Sequence, residues 1–183
     1  DYIRDKTILI TGAGGSIGSE LCRQVAQFSP ARMVLLDQSE YNLYRIEMDL
    51  REHSPEIEQH PVIGDILNQA KMERILKQFR PEVVFHAAAY KHVPLMETNP
   101  EEALRTNTFG TWTIARLSHL YGVQKFVMIS TDKAVRPTNV MGASKRIAEM
   151  VCQEFGRTSN TKFVTVRFGN VLNSVGSVIP LFK

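Results

Sequence analysis

Two cysteines, Cys22 and Cys152, occur among 183 residues, with no CxxC spacing. That excludes a disulfide scaffold, and since both fall in helical patterns, buried free thiols in a reducing compartment are expected. Tryptophan occurs once, and no apolar run approaches the roughly 18 residues of a membrane-spanning helix. No amino-terminal stretch has a secretory pattern, so the chain is expected neither to span a membrane nor to be exported. Charge of neither sign dominates: 22 Lys and Arg stand against 19 Asp and Glu, and a net charge of +3 is too small to argue for nucleic acid. There is no internal repeat, low-complexity tract or interdomain linker, and no spacing suggests a metal site. At 43% hydrophobic and 22% charged, what remains is one globular domain with length for one substantial core. The first residue is Asp1 rather than Met, so residues 1–183 are expected to be a piece of a longer protein.

What the chain has is alternation. Strand-like runs near 7–11, 33–37, 59–64, 82–86, 125–130 and 162–168 alternate with helical patterns near 17–28, 40–53, 68–79, 101–121 and 142–156. This predicts an α/β fold: a doubly wound parallel sheet of Rossmann type, with right-handed crossovers and helices on both faces. Pro30, Pro55, Pro81 and Pro100 fall between these segments, where a missing N–H costs little. Only about fifteen residues follow the sixth strand, so a substrate lobe is expected to be largely absent. Trp112 falls with Leu104, Ala115 and Leu120 close to one helical stripe and is expected in the core.

The first strand feeds Thr11-Gly12-Ala13-Gly14-Gly15-Ser16-Ile17-Gly18, and a helical pattern comes next. Strand, glycine loop and helix make a dinucleotide site: Gly12 permits the tight turn, Gly15 lets backbone approach a pyrophosphate, and Gly18 lets helix and strand pack closely. A second apolar strand ends in Asp37, 19 positions after Gly18, the distance expected for a carboxylate on the adenosine ribose. Asp37 favours NAD over NADP, because a 2′-phosphate would meet its negative charge. Gly64-Asp65, ending the third strand, is placed to meet the adenine, with a helix cap as the alternative for Asp65.

Lys125-Phe126-Val127-Met128-Ile129 reads as a buried parallel strand, so Ser130-Thr131-Asp132-Lys133 emerges at its carboxyl end, where open α/β sheets bind ligands. Met141 and Lys145 are four residues apart and share one face of the next helix. His86, ending the fourth strand, is expected to be a satisfied core histidine.

These motifs carry a resemblance. Residues 11–20, His86-Ala87-Ala88-Ala89-Tyr90-Lys91-His92-Val93-Pro94, Ser-Thr-Asp-Lys-Ala-Val-Arg-Pro-Thr-Asn at 130–139, Met141 to Lys145 and Arg167-Phe168-Gly169-Asn170-Val171 resemble the bacterial nucleotide-sugar 4,6-dehydratases of the extended short-chain dehydrogenase/reductase superfamily. More narrowly, the chain resembles CapD-like, membrane-anchored UDP-N-acetylglucosamine 4,6-dehydratases of polysaccharide biosynthesis. The MxxxK spacing is that superfamily's YxxxK, with methionine in the tyrosine's place.

The resemblance implies an enzyme that oxidises C4 of a UDP-sugar by hydride transfer to NAD, eliminates water across C5 and C6, and returns the hydride to C6. Lys133 then suits the C5 base and Asp132 the acid at C6. Both roles call for titration nearer neutrality than free Lys and Asp show, about 10.4 and about 3.9, and burial at the strand end is expected to supply it. Lys145 is expected to hydrogen-bond the nicotinamide ribose. A thioether is no proton acceptor, so Met141 is expected to pack against the cofactor, leaving the C4 hydroxyl to Thr131 through water, or to Lys133 or Asp132 serving twice. Cofactor contacts extend to Ser16, Ile17, Ile66, Ala87, Ala88, Lys91 and Asn107, and substrate contacts to Lys91 and Asn170. The resemblance also implies a homo-oligomer and a cytoplasmic domain of an inner-membrane protein, with no membrane contact by residues 1–183. Two other functions share part of this pattern. A nucleotide-sugar 4-epimerase needs no Asp132-Lys133 pair, and a non-catalytic dinucleotide sensor has no use for Lys145.

Overall fold

In the computed structural model, which describes residues 2–169, six parallel strands form one sheet in the order β3-β2-β1-β4-β5-β6. They are β1 (Thr7–Thr11), β2 (Arg32–Asp37), β3 (Glu58–Ile63), β4 (Val83–His86), β5 (Lys125–Thr131) and β6 (Lys162–Phe168). The order reverses between β1 and β4, and at such a reversal the loops at the strand ends part to leave a crevice. The expected α/β doubly wound fold is the one observed.

Strand side chains alternate between faces, and both faces here are apolar, as a parallel sheet covered on both sides requires. Ile8, Ile10, Met33 and Leu35 point to one side and pack with Val25, Leu43, Ile46 and Leu50. Those four come from α1 (Ser16–Ala26) and α2 (Glu40–His53). Leu9, Val34, Leu36, Val84, Phe126 and Met128 point the other way, onto Met72, Leu76, Ile114, Leu117 and Ala148. These belong to α3 (Gln69–Phe79), α6 (Thr111–Leu120) and α7 (Val140–Thr158). Pro61 sits in β3, an edge strand, where no ladder partner on the open side misses its N–H. Cys22 and Cys152 are buried free thiols. No described helix is long and apolar enough to cross a membrane.

The helix expected over 101–121 is found, but it is not α-helical throughout. A short α4 (Val93–Thr98), which the sequence pattern did not indicate, and α5 (Pro100–Ala103) precede a π turn at Leu104–Gly110, and only then does α6 begin. The Thr111 hydroxyl donates to the Asn107 carbonyl at 2.7 Å, a side-chain insertion of the kind that widens an α-helical ladder. The extra residue per turn shifts the register of α6. Trp112 is therefore not core: it is 40% exposed, and Leu104 and Leu120 are exposed with it, whereas Ala115 is buried.

Candidate active site

The loops at the carboxyl ends of β1, β2, β3 and β4 enclose a cleft of about 220 Å³. Gly12, Gly15, Asp37, Asp65, Ile66, Ala87 and Ala88, all expected at a cofactor, line it. Gln38, Ser39, Asn42, Tyr90 and Thr106 line it too, without having been legible in the motifs. Gly12 has φ +69°, and a Cβ there would stand 2.6 Å from the Ala88 nitrogen, so glycine alone brings β1 and the loop after β4 this close. A Cβ on Gly18 would overlap the Gly12 carbonyl oxygen, which is the close helix–strand packing expected of it. A Cβ on Gly15 would meet, among the described residues beyond its chain neighbours, just that same oxygen within 4 Å, at 3.3 Å.

Ser16 and Ile17 open α1, which has no side-chain cap and no acidic residue in its first turn. In contrast, α2, α3 and α7 are capped by Ser39, Asn68 and Asn139. The uncapped end of α1 presents the positive pole of the helix towards the cleft. At the far lip Asp37 is held rigidly: Oδ2 accepts from the Gly14 N–H and Oδ1 from the Ser39 N–H, both at 2.9 Å. Asp65 is exposed and accepts from the Leu67 N–H at 2.9 Å, bracing the turn before α3 while Asn68 serves as that helix's cap.

A second group of residues stands at the end of β5. The strand runs into a 3₁₀ turn, Asp132–Ala134. The Thr131 hydroxyl donates to Asp132 Oδ1 at 2.9 Å and accepts the Lys133 N–H at 3.3 Å, and Lys133 Nζ lies 3.2 Å from the same Oδ1. The burial expected to raise the Asp132 pKa is not there. Its side chain is 58% exposed, and the hydrogen bonds from Thr131 and Lys133 hold its carboxyl below the usual carboxylate range. Asp132 thus stands ionised, and the lowered pKa makes its carboxylate a weaker base than a free one.

Met141 and Lys145 are both buried on α7, as their spacing implied. Met141 packs on Met96 and Ala103, with Tyr90, Val93 and Val140 around them, so its neighbours are protein side chains. Lys145 is 4% exposed and donates from Nζ to the Ile129 carbonyl at 2.7 Å. Burial pushes its ammonium down to about 8. Asn107, buried in the π turn, accepts the Tyr90 N–H at 2.8 Å and donates to the Tyr90 carbonyl at 2.9 Å and to Ser144 Oγ at 3.0 Å. It clasps the loop after β4 to the helix that carries Lys145. Lys91 sits on that loop, exposed, and partial desolvation draws its pKa down. Asn170 lies outside the described residues.

His86 is the satisfied core histidine expected. Its ring nitrogens lie 2.7 Å from Thr11 Oγ1 and 2.9 Å from Thr111 Oγ1, and burial pushes its pKa down to about 3. Because Thr111 spends its proton on the Asn107 carbonyl, it accepts from Nε2–H, which leaves Nδ1 to accept from Thr11. A buried carboxylate, Glu149, went unnoticed in the sequence. It receives Ser130 Oγ at 2.7 Å, Arg146 at 3.0 Å and Arg167 twice, at 2.7 and 2.6 Å. Among the described residues no cluster of His, Cys, Asp and Glu could hold a metal ion.

A family model described as "Polysaccharide biosynthesis protein" matches residues 8–183. The chain belongs to that family. It is 56% identical over 183 residues to the capsular polysaccharide biosynthesis protein CapD of Staphylococcus aureus, a match covering 99% of this chain and 31% of that protein. It is 36% identical to a UDP-glucose 4-epimerase of Rickettsia bellii, covering 97% of this chain and 52% of that one. It is 33% identical to an inverting UDP-N-acetylglucosamine 4,6-dehydratase of Campylobacter jejuni, covering 97% and 53%. Among solved structures, Pen from Bacillus thuringiensis matches with a TM-score of 0.91 at 38% identity, over 100% of this chain and 57% of that one. A double mutant of DesIV, a dTDP-glucose 4,6-dehydratase from Streptomyces venezuelae with NAD and DAU bound, matches with a TM-score of 0.82 at 25% identity, over 96% and 60%. The chain thus spans about a third to a half of the relatives' own length.

One further residue of this polysaccharide biosynthesis domain sets the Asp132–Ala134 turn against α7. A Cβ on Gly142 would run into the Lys133 carbonyl oxygen. We expect Gly142→Ala to displace Asp132–Ala134, costing about 1–3 kcal/mol of stability and about tenfold or more in turnover. Gly156→Ala on the same helix is the control: its Cβ meets Phe163 at 3.5 Å, an ordinary contact, so it should leave turnover alone and raise the melting temperature slightly. Thermal denaturation and initial rates of both variants decide the matter, and equal behaviour would remove Gly142 from the site.

Proposed function

We propose that residues 1–183 form the NAD-binding catalytic domain of a nucleotide-sugar 4,6-dehydratase that converts UDP-N-acetylglucosamine to UDP-4-keto-6-deoxy-N-acetylhexosamine in surface polysaccharide biosynthesis. The observation that carries this reading is the Thr131, Asp132 and Lys133 array at the end of β5, with hydrogen bonds of 2.9 and 3.2 Å converging on one carboxylate oxygen. A 4-epimerase moves a hydride and needs no such pair.

The residues present fit NAD. The uncapped α1 and Gly15 suit a pyrophosphate, and the fixed Asp37 carboxylate suits an adenosine ribose with free hydroxyls. NAD, when bound, supplies the transient oxidation at C4, taking a hydride there and returning it to C6. The protein's part is proton traffic. Asp132 takes the C4 hydroxyl proton through Thr131, whose hydroxyl already points at it, and so becomes the acid required later. Lys133 removes the C5 proton, which the C4 ketone has acidified. Asp132 then returns its proton to the departing C6 hydroxide, water leaves, and Lys133 gives a proton back to C5 as C6 is reduced, which restores both groups. Met141 takes no part in proton transfer, while Lys145 and Asn107 hold the cofactor end and Lys91 reaches the sugar.

The same proposal includes the homo-oligomer and the cytoplasmic placement beside an inner membrane. Phe109, Trp112, Ile147 and Met150, exposed on the π turn and the neighbouring α6 and α7, offer an apolar face for a second copy. Light scattering of the full-length protein checks it.

The test of the reaction is to incubate the full-length protein with UDP-N-acetylglucosamine in deuterated water and identify the product by NMR. A 4-keto-6-deoxy sugar with deuterium at C5 is expected. A C4 epimer with C6 unchanged makes the protein an epimerase, and an untouched sugar despite NAD binding makes it a sensor. Cofactor choice is tested separately. NAD should bind more tightly than NADP, and Asp37→Ala should narrow the gap by about tenfold or more, since a repelling charge within reach of a phosphate is worth at least about 1.4 kcal/mol. Calorimetric titration giving equal preference in both proteins would sink the ribose assignment.

A further inference from the structure

Among the described residues, Glu149 is a charged group outside the motifs that is fully engaged. It lies on α7, is 0% exposed, and has all four of its acceptor positions filled. Oε1 accepts from Ser130 Oγ and Arg167 Nε, each at 2.7 Å, and Oε2 accepts from Arg167 Nη2 at 2.6 Å and Arg146 Nη1 at 3.0 Å. Ser130 is the residue immediately before Thr131, and Lys145 is one helical turn before Glu149. One carboxylate therefore joins the end of β5, the end of β6 and the helix beneath them.

We propose that Glu149 is a positioning residue of this site. Through Ser130 it aims the Thr131, Asp132 and Lys133 array, and its charge keeps the buried Lys145 protonated. The first part rests on the dehydratase reading and the second does not.

His86 on β4 and Cys152 on α7 are the other titratable neighbours of Lys145. Burial holds His86 down to about 3 and pushes Cys152 up to about 12, so both are neutral near pH 8, where the lysine titrates. Asp132 and Lys133 pair with each other on the exposed turn. Burial pushes Glu149 up, but hydrogen bonds from Arg167, Ser130 and Arg146 outweigh it and hold the carboxyl down to about 2. Glu149 is thus ionised throughout, the negative charge that offsets the burial of Lys145. Removing that charge also leaves Arg146 and Arg167 unpaired nearby, which works against the ammonium in the same direction.

The test uses three variants of the full-length protein. Glu149→Gln removes the charge and one acceptor oxygen, and with it two of the four acceptor positions. Glu149→Asp keeps the charge but shortens the reach to Ser130, and Ser130→Ala cuts that reach alone. The lysine midpoint is read without cofactor by NMR of protein labelled at lysine Cε, the Lys145 signal being assigned by its loss in Lys145→Met. Exchange of the sugar C5 hydrogen in deuterated water reads the aim of the array. Glu149→Gln should lower the Lys145 midpoint by about one pH unit and slow C5 exchange about tenfold or more. Glu149→Asp should slow exchange while leaving the midpoint in place, and Ser130→Ala should do the same. If Glu149→Gln does not fold, the other two still decide whether Glu149 aims the array. The proposal is overturned if Glu149→Gln melts earlier but keeps the wild-type midpoint, or if Ser130→Ala and Glu149→Asp exchange C5 at the wild-type rate. A wild-type protein that exchanges no C5 hydrogen refutes the dehydratase reading instead, and the midpoint then tests Glu149 on its own.

Discussion

Full-length Lys133→Ala should oxidise its sugar at C4 and accumulate NADH absorbance, yet fail to exchange the C5 hydrogen with deuterated solvent, with dehydration slowed by about 10²–10⁴-fold for loss of one acid–base group. The expectation rests on the division of labour at the end of β5. Thr131 donates to Asp132, and the proposed route takes the C4 proton along that hydrogen bond rather than through Lys133. Asp132→Asn should behave differently. Asparagine neither takes the C4 proton nor gives one at C6, so NADH formation and elimination should fall together. If Lys133→Ala forms no NADH, Lys133 is the C4 base in place of the absent tyrosine. Near-normal dehydration in that variant would reduce Asp132 and Lys133 to the exposed ion pair they make at 3.2 Å.

The fold was legible because its signals are local and repeated. Runs such as Ile8-Leu9-Ile10 and Met33-Val34-Leu35-Leu36 are apolar on both faces, which only a sheet covered on both sides explains, and every expected strand is found within about two residues. The π turn was not legible. Nothing in Leu104–Gly110 distinguishes an i+5 ladder from an i+4 one, because what opens it is a hydroxyl bonding a carbonyl four residues back. Trp112 was misplaced for the same reason: a stripe counted along an unbroken helix loses its phase when a residue is inserted.

At the site, the glycine loop and Asp37 were legible because each is demanded by backbone geometry or by a charge at a fixed distance. Asp132 was placed correctly in the chain but wrongly in its environment, since a strand end does not disclose whether the next side chain is covered. Glu149 escaped because an arginine and a glutamate three apart on a helix carry no motif, and only the fold brings Ser130 and Arg167 to the other side of the carboxylate. Asn107 was known through resemblance alone, while its clasp on Tyr90 and Ser144 depends on the π turn.

Lys145→Met should make the protein more stable and less active at once. Burial lowers the Lys145 pKa from the ordinary 10.5 to about 8, so near pH 7 the folded chain carries a proton it holds less readily than the unfolded chain does. That difference corresponds to about 3 kcal/mol against folding, from which about 1 kcal/mol returns because methionine gives up the hydrogen bond to the Ile129 carbonyl. A net gain of about 2 kcal/mol is expected, with loss of turnover by about 10²–10⁴-fold if Lys145 holds the reacting end of the cofactor. The pH dependence fixes the cause. Below about 8 both states of the wild-type chain are protonated and the penalty is complete. Between about 8 and 10.5 the folded state has released its proton while the unfolded state keeps it, so wild-type stability rises with pH across that window. The variant has no such group. The stability difference between the two proteins, read from urea denaturation, should therefore favour the variant near pH 7 and shrink towards pH 10, the other titrating side chains being common to both. A difference that stays constant with pH would mean that Lys145 is not the strained group and that its depth in α7 is ordinary packing.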